Sequence, residues 1–445
     1  MRSGSIFRRG FLAAWLFVAG VQVAAQDAEK FREYMDAAAR VDQFSGTVLV
    51  TLRDRVVFER AYGLADRAKK LPNARETKYW IGSMSKPITA IGVMALRDQG
   101  KLKLDESVCV YLAPCPESWK GIKIQNLLTH TSGLADIVKF PDFLAFRTKP
   151  HTPQQLVELI GSRAVTFEPG KKFEYSNSNF ILLGAVIEKQ TGGPYLAFMK
   201  KAVFNVAGMK TTGYDEKAPA GTAVGYVRDG DNFREAEETA MSVRFSAGGL
   251  YSKVDDLWAL NRALQAGKVL KRSTVEEMWT DRGHGYGYGW MPDVDEKKRR
   301  SIGHSGRIDG FASSMRLYPN EDLFVAVLSN VNGTNTERMA GALAAIAHGE
   351  PFKMPRERKF VFVAAAKLAE YDGKYRLPWG LVLIVTHDGD HLFGRAEQEK
   401  KPTEWKPESE TLFYVPPADL NIEFVKDGGK VTLVFDGQAK AEKVE

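Results

Sequence analysis

Trp80-Ile-Gly-Ser-Met-Ser-Lys-Pro-Ile-Thr-Ala90 sets two serines and a lysine just ahead of a proline and an apolar run. Met84, Ile88, Ile91 and Ala95 recur three or four apart, which predicts a helix; Gly100 follows as a stop, and Pro87 falls in the first turn, where a missing N–H costs little. Positions three apart on a helix are neighbours, so the amine of Lys86 can reach the hydroxyl of Ser83. Two readings are open. In one, Ser83 caps the helix and Lys86 points to water. In the other, Ser83 is a nucleophile and Lys86 takes its proton, which requires a lysine pKa lowered from about 10.4 toward roughly 7–8. Burial and the positive end of the helix dipole supply such a shift, and exposure does not. The S-x-x-K spacing is common by chance and does not choose between them.

Upstream of this segment, residues 27–41 have helical spacing. Gly46–Leu52 and Val56–Ala61 read as two strands joined by the polar turn Arg53-Asp54-Arg55. Downstream, helical stretches and glycine-marked turns fill roughly residues 100–270, and strand-like segments return at Gly285–Trp290, Ser313–Tyr318 and Leu323–Ser329. Strands at both ends with helices between them predict an α+β fold: an antiparallel sheet assembled from the two chain ends and flanked by helices. A helix at Thr336–Ala347 follows, then a linker over residues 350–359. From residue 360 the pattern becomes all-β. Leu381–Thr386 and His391–Phe393 flank Asp388-Gly389, while Ile422–Val425 and Val431–Phe435 flank Asp427-Gly-Gly429, which are hairpin signals. Residues 360–445 are therefore expected to form a separate small β-sheet or barrel domain.

The bulk numbers fit this division. The chain has 445 residues, 44% apolar and 26% charged, enough for one large core and a smaller one. Arg2, Arg8 and Arg9 precede an apolar stretch, and Val23-Ala24-Ala25 offers small residues for cleavage, so residues 1–25 read as a signal peptide. The stretch is short for a span of roughly 20 apolar residues. No stable membrane insertion is expected after cleavage, and the mature chain is expected to be periplasmic or secreted. Arg8-Arg9 also resembles a twin-arginine export signal, with Phe7 where a hydroxyl residue is usual.

Losing three arginines and no acids takes the formal charge from +7 to +4, a weak excess for this length. Lys297-Lys298-Arg299-Arg300 follows Asp293, Asp295 and Glu296, so the signs are mixed and nucleic acid is not an expected partner. Cys109 and Cys115 stand alone, without histidines at metal-ligand spacing; they either close a small disulfide loop or remain free thiols. No metal or organic cofactor is expected.

Two more segments carry chemistry. Tyr175-Ser-Asn177 follows Glu168-Pro-Gly170: a phenol can shuttle a proton, and a carboxamide can hold a carbonyl and a lysine in register. Tyr318-Pro-Asn320 repeats the pattern, and a turn between strands explains it. Gly303-His-Ser-Gly306 on a strand can line a cleft, with Gly306 permitting close backbone approach and nearby N–H groups available to an oxyanion. A nucleophile-elbow reading of Gly303–Arg307 meets Arg307 where glycine is required and a strand pattern where a helix should follow. His130, in Leu-Thr-His-Thr-Ser-Gly, reads as structural, satisfying backbone atoms in its turn. His284 and the Gly/Tyr/Trp run after it either line the cleft or form a tightly packed strand.

Taken in order, Ser83-Met-Ser-Lys86, Tyr175-Ser-Asn177 and His304-Ser-Gly306 resemble the three active-site motifs of the class C β-lactamase and D-alanyl-D-alanine carboxypeptidase superfamily, the penicillin-binding-type serine hydrolases. The flanks Asn126–Leu134, Glu168–Gly170 and Ser246–Ser252 match too, and the likeness spans about residues 40–340. The resemblance implies a β-lactamase/transpeptidase-like domain over 26–349 acting through an acyl-enzyme on small esters, amides or D-amino-acid peptides. It implies Ser83 as the acylated nucleophile, Lys86 as its proton acceptor and Tyr175 as acid/base partner. Asn177, His304, Ser305, Gly306 and Arg307 would bind substrate, with the N–H groups of Ser83 and Arg307 forming the oxyanion hole. His304 stands where true β-lactamases carry lysine, which resembles the carboxypeptidase, D-aminopeptidase and esterase branches. Arg307 replaces a small residue; its side chain either pairs with a substrate carboxylate or points to solvent. The alternative from another class is a non-catalytic module that recognises cell-wall peptide or a partner protein.

Overall fold

The computed structural model describes residues 28–41, 44–229, 232–237, 239–378, 381–397, 401–415, 420–435 and 439–444, and the chain divides after Pro355 into two compact units. The expected signal segment lies outside the described residues. Among those described, no helix is long and apolar enough to cross a membrane.

In the first unit helix α1 (28–41) leads into the hairpin of β1 (Gly46–Leu52) and β2 (Arg55–Tyr62). Its turn is one residue shorter than expected. Arg53 and Asp54 both take positive φ, 50° and 60°, which matches the twist of a strand pair joined by two residues. The stretch around Ser83 forms a single 3-10 turn, Gly82–Met84, and then α2 (Ser85–Asp98). No side chain caps α2, so Ser83 is not a helix cap, and every residue from Ser85 to Leu96 is buried. Two further helices matter to the site, α3 (Asn177–Thr191) and α4 (Met241–Gly248). They are followed by β3 (Met291–Val294), β4 (Arg300–Ile308), β5 (Phe311–Tyr318), β6 (Leu323–Ser329) and α5 (Thr336–Ala347).

The sheet runs β3-β4-β5-β6-β1-β2, antiparallel throughout, so the two ends of the domain meet where β1 pairs with β6, Val48 opposite Val327 and Val50 opposite Val325. Side chains alternate between its faces. Val48, Val50, Val325 and Val327 pack on α1 and α5 through Phe31, Met35, Met339 and Leu343. Leu49, Ala326 and Leu328 belong to the larger core, with Ile88 and Ile91 of α2 and Leu183 and Ile187 of α3. The α+β arrangement expected from the order of elements is thus the observed one. Pairing with β3 reaches only as far as Gly303 of β4, so among the described residues the outer edge of His304–Ile308 carries no strand.

One expected strand is absent. Gly285–Trp290 is an irregular loop, because His284, Gly285 and Gly289 adopt positive φ (69°, 66° and 77°), which breaks a ladder. It also packs tightly: a Cβ on Gly287 would lie 2.2 Å from the carbonyl oxygen of Met278. Cys109 and Cys115 are joined as a disulfide, Cα atoms 5.5 Å apart.

The second unit is a closed barrel of eight antiparallel strands, from Gly373–Arg376 to Ala439–Lys443, closed by pairing of Tyr375 with Lys443 and Arg376 with Glu442. The two expected hairpins are present, but their turns fall at Gly389-Asp390 and Gly428-Gly429; all three glycines have positive φ. Rings fill the interior: Tyr371 stacks on Phe424 at 3.8 Å between centroids, and Tyr375, Trp405 and Phe413 are buried beside them. Gly394 has no alternative, since a Cβ there would lie 2.0 Å from the indole of Trp405.

Candidate active site

Lys86 lies in the first turn of α2, one turn after Ser83, and its side chain is fully buried while Ser83 remains partly accessible. The amine Nζ sits 2.9 Å from Ser83 Oγ, 2.8 Å from Asn177 Oδ1 and 2.9 Å from the carbonyl oxygen of Ala247. A neutral amine has two hydrogens and one lone pair. Both carbonyl oxygens can only accept, so they take the two hydrogens, and the lone pair is left facing the Ser83 hydroxyl. Burial pushes the Lys86 pKa down to about 7; the Asp136 carboxylate opposes the shift and the Arg244 guanidinium adds to it. The surface-lysine reading of the S-x-x-K spacing is therefore excluded.

Each partner is delivered by a different element. Asn177 is the first residue of α3, and Asp136 fixes it from behind: the carboxylate accepts from the Asn177 backbone N–H at 3.0 Å and from Nδ2 at 3.1 and 3.3 Å. Ala247 is aimed by a strained residue within α4, Phe245, at φ 39° and ψ −133°. Such a conformation costs on the order of 1–3 kcal/mol and persists only where the surroundings over-determine it. It turns two successive carbonyls inward, Ser246 to the hydroxyl of Thr89 at 2.7 Å and Ala247 to Lys86.

Tyr175 approaches from the segment before α3. Its ring lies 4.8 Å from Lys86 Nζ, and its hydroxyl is close enough to the Ser83 side chain to feel it. Burial raises the phenol pKa above its ordinary value, against the opposing influence of Ser83, so the phenol keeps its proton. The phenol thus stands beside the nucleophile as a protonated group, while the serine proton points at the amine.

On the opposite wall, β4 presses on the Ser83 turn. A Cβ on Gly306 would lie 2.0 Å from the carbonyl oxygen of Ile81 and 3.0 Å from the Met84 nitrogen; one on Gly82 (φ 51°) would lie 2.9 Å from the Arg307 nitrogen. Only two glycines let these backbones meet, and the meeting brings the N–H of Arg307 beside the turn that carries Ser83. The Arg307 side chain is exposed and forms no ion pair or hydrogen bond among the described residues. Ser305 is half-buried. His304 is 3% exposed and has both ring nitrogens occupied, Nδ1 by the Ser305 carbonyl at 2.6 Å and Nε2 by the Tyr286 hydroxyl at 3.0 Å. It supports the wall from behind and offers no free nitrogen to the cleft. Among the described residues no group of three or more His, Cys, Asp or Glu side chains is placed to hold a metal ion.

Residues 28–350 match the family model described as Beta-lactamase. The chain belongs to the Beta-lactamase family. Among its relatives in this family, Penicillin-binding protein 4* of Bacillus subtilis is 28% identical over 432 residues, covering 90% of this chain and 95% of the relative. The octameric penicillin-binding protein homologue from Pyrococcus abyssi superposes with a TM-score of 0.67 at 24% identity over 93% of this chain and 99% of that one, which shows shared fold. The D-amino acid amidase from Ochrobactrum anthropi SV3 aligns with a TM-score of 0.60 at 25% identity over 69% of this chain and 91% of that one.

The structure brings Ser83, Lys86, Tyr175 and Asn177 together and sets Gly306 and the Arg307 backbone against them. Sequence reasoning passed over Asp136, the Ala247 carbonyl and Tyr286. Asp136 follows the quoted Leu134 by two residues, but its partner is 41 positions away and nothing local announces it.

Proposed function

We propose that the chain is an exported serine hydrolase that forms a Ser83 acyl-enzyme with small esters, amides or D-amino-acid peptides. The observation that carries this reading is the Lys86 amine, whose two hydrogens are held by carbonyls so that its lone pair faces Ser83 Oγ. In the acylation step the serine proton passes to Lys86 as Oγ bonds to the substrate carbonyl carbon, and the N–H groups of Ser83 and Arg307 receive the oxyanion. As the tetrahedral intermediate collapses, the Tyr175 hydroxyl gives its proton to the leaving oxygen or nitrogen and regains one from Lys86. Water then attacks the ester by the same route in reverse and restores Ser83.

The unpaired guanidinium of Arg307 at the rim suits a substrate that carries a carboxylate. Export is supported by the arginine-then-apolar leader and by the Cys109–Cys115 disulfide, a bond that persists in oxidising compartments. The test uses a fluorophosphonate together with a panel of p-nitrophenyl esters, D-alanyl anilides and nitrocefin. The expected result is turnover of at least one substrate and one adduct per chain, mapped by tandem mass spectrometry to Ser83. An adduct on another residue, or neither adduct nor turnover, refutes the reading.

The base makes the rate sensitive to pH in a stated direction. Activity is expected to rise through about pH 7 as Lys86 loses its proton. The Asp136 charge favours the ammonium, so Asp136→Asn should lower the Lys86 pKa and move the acid limb of kcat/KM down by about one pH unit, with a lower plateau as Asn177 loosens. A pH–rate profile checks the sign, and a limb that moves upward contradicts the assignment.

A further inference from the structure

The two histidines behind the site are joined by one hydroxyl, and the direction of that chain can be derived from groups whose roles are fixed. His130 Nδ1 receives the backbone N–H of Ser176 at 3.2 Å and Nδ2 of Asn179 at 3.0 Å. Two donors on one nitrogen require a lone pair there, so the His130 hydrogen is on Nε2. On β4, His304 Nδ1 lies against the Ser305 carbonyl, which can only accept, so the His304 hydrogen is on Nδ1 and its lone pair on Nε2. Tyr286 fills the gap. Its hydroxyl is 3.3 Å from His130 Nε2, from which it accepts, and 3.0 Å from His304 Nε2, to which it donates.

We propose that Tyr286 is a positioning residue of the site, whose hydroxyl locks His130 and His304 as opposite neutral tautomers and so ties the segment that carries Tyr175 to the strand that carries the oxyanion-hole N–H. This rests on the hydrolase reading given above for the meaning of the site, but the geometry stands without it. The Tyr175 ring lies on His130 at 4.2 Å between centroids, and His130 also holds the backbone at Ser176, so moving His130 moves the phenol beside Lys86. At the other end, turning His304 would disturb the Ser305 carbonyl two residues before Arg307.

The lock excludes charge as well. Adding a proton to His304 Nε2 would set an N–H against the Tyr286 hydrogen, and rotating that hydrogen away would strand it in a fully buried pocket. The titratable groups that face the pair are Lys86, Tyr175 and each imidazole itself; burial first and then the Lys86 charge hold both histidines below their ordinary pKa, His304 at about 3. Lys86 is thus left as the group in this cluster that changes charge near neutrality.

The decisive measurement is long-range 1H–15N NMR on the full chain with 15N-labelled histidine. The expected spectrum shows His130 protonated at Nε2 and His304 at Nδ1, both neutral through the range from about pH 5 to about pH 8 where ordinary histidines titrate. An imidazolium at 304, or the Nε2–H tautomer there, overturns the proposal whatever the enzyme does. The variant Tyr286→Phe keeps the ring and removes the hydroxyl. Its His304 signals should lose the single-tautomer pattern, and kcat should fall by about 10-fold to 100-fold with little change in KM, the size of loss expected when reacting groups shift by about 1 Å. A folded Tyr286→Phe protein with wild-type kcat and unchanged histidine signals also overturns it. If the variant does not fold, the wild-type tautomers still decide, and a wild type with these tautomers but no turnover rejects the hydrolase reading alone.

Discussion

Ser83→Ala is expected to lower turnover of the best substrate by at least about 10⁴-fold and to abolish the fluorophosphonate adduct, with Lys86→Ala costing about 10³-fold. The two groups act as a unit. Among the described residues the amine has no other hydroxyl within bonding distance, and the serine has no other base: Tyr175 keeps its proton, and both imidazoles behind it have their lone pairs occupied. The double variant should therefore be no slower than Ser83→Ala alone, within about twofold, because a nucleophile without its base and a base without its nucleophile fail at the same step. Single-turnover kinetics on the three variants would settle this. Multiplying losses would mean that Lys86 acts on something other than Ser83.

Gly306→Ala should have the next largest effect, although it adds one methyl group. That carbon would lie 2.0 Å from the Ile81 carbonyl oxygen, 2.6 Å from Ser313 Oγ and 3.0 Å from the Met84 nitrogen. Two of these atoms belong to the backbone around the Ser83 turn and cannot turn aside, so β4 must back away and take the Arg307 N–H with it. The expected loss is about 10²-fold to 10³-fold in kcat/KM from the weakened oxyanion hole, with about 1–3 kcal/mol of stability from overpacking. Gly341→Ala serves as the control. It lies in α5 with nothing within 4 Å of the added carbon, so activity should be unchanged and the melting temperature the same or slightly higher. Wild-type kcat/KM in Gly306→Ala would show that the close approach of β4 is irrelevant to the chemistry.

How far the sequence could be read depended on the distance over which each feature is determined. The Ser83/Lys86 pair is set by one helical turn and was visible in the spacing, whereas the burial that lowers the lysine pKa comes from α3 and α4 and was not. Tyr175 and His304 could be assigned only through family resemblance, because their contacts cross between elements remote along the chain. Asp136 and the Ala247 carbonyl gave no signal at all: one is an ordinary aspartate after a turn, the other a backbone atom aimed by a strained phenylalanine. Tyr286 sat in a glycine-rich run read partly as a strand; left-handed glycines made it a loop, and a loop can direct one phenol between two histidines. In the second unit the hairpin turns were legible because glycine marks them. Closure was not, since the register of the first strand on the last follows from overall curvature and not from any short segment.

The buried amine at position 86 also has a thermodynamic side. In the unfolded chain this lysine titrates at its ordinary 10.5, in the folded chain at about 7, so between those values unfolding takes up a proton. By linkage, this side chain's contribution to resistance against denaturation grows as alkali is added across that window and is constant on either side of it. Below it, both states are protonated and the folded state bears the whole desolvation cost of an enclosed ammonium. The proton whose departure arms the nucleophile is thus the same proton whose departure relaxes the native state.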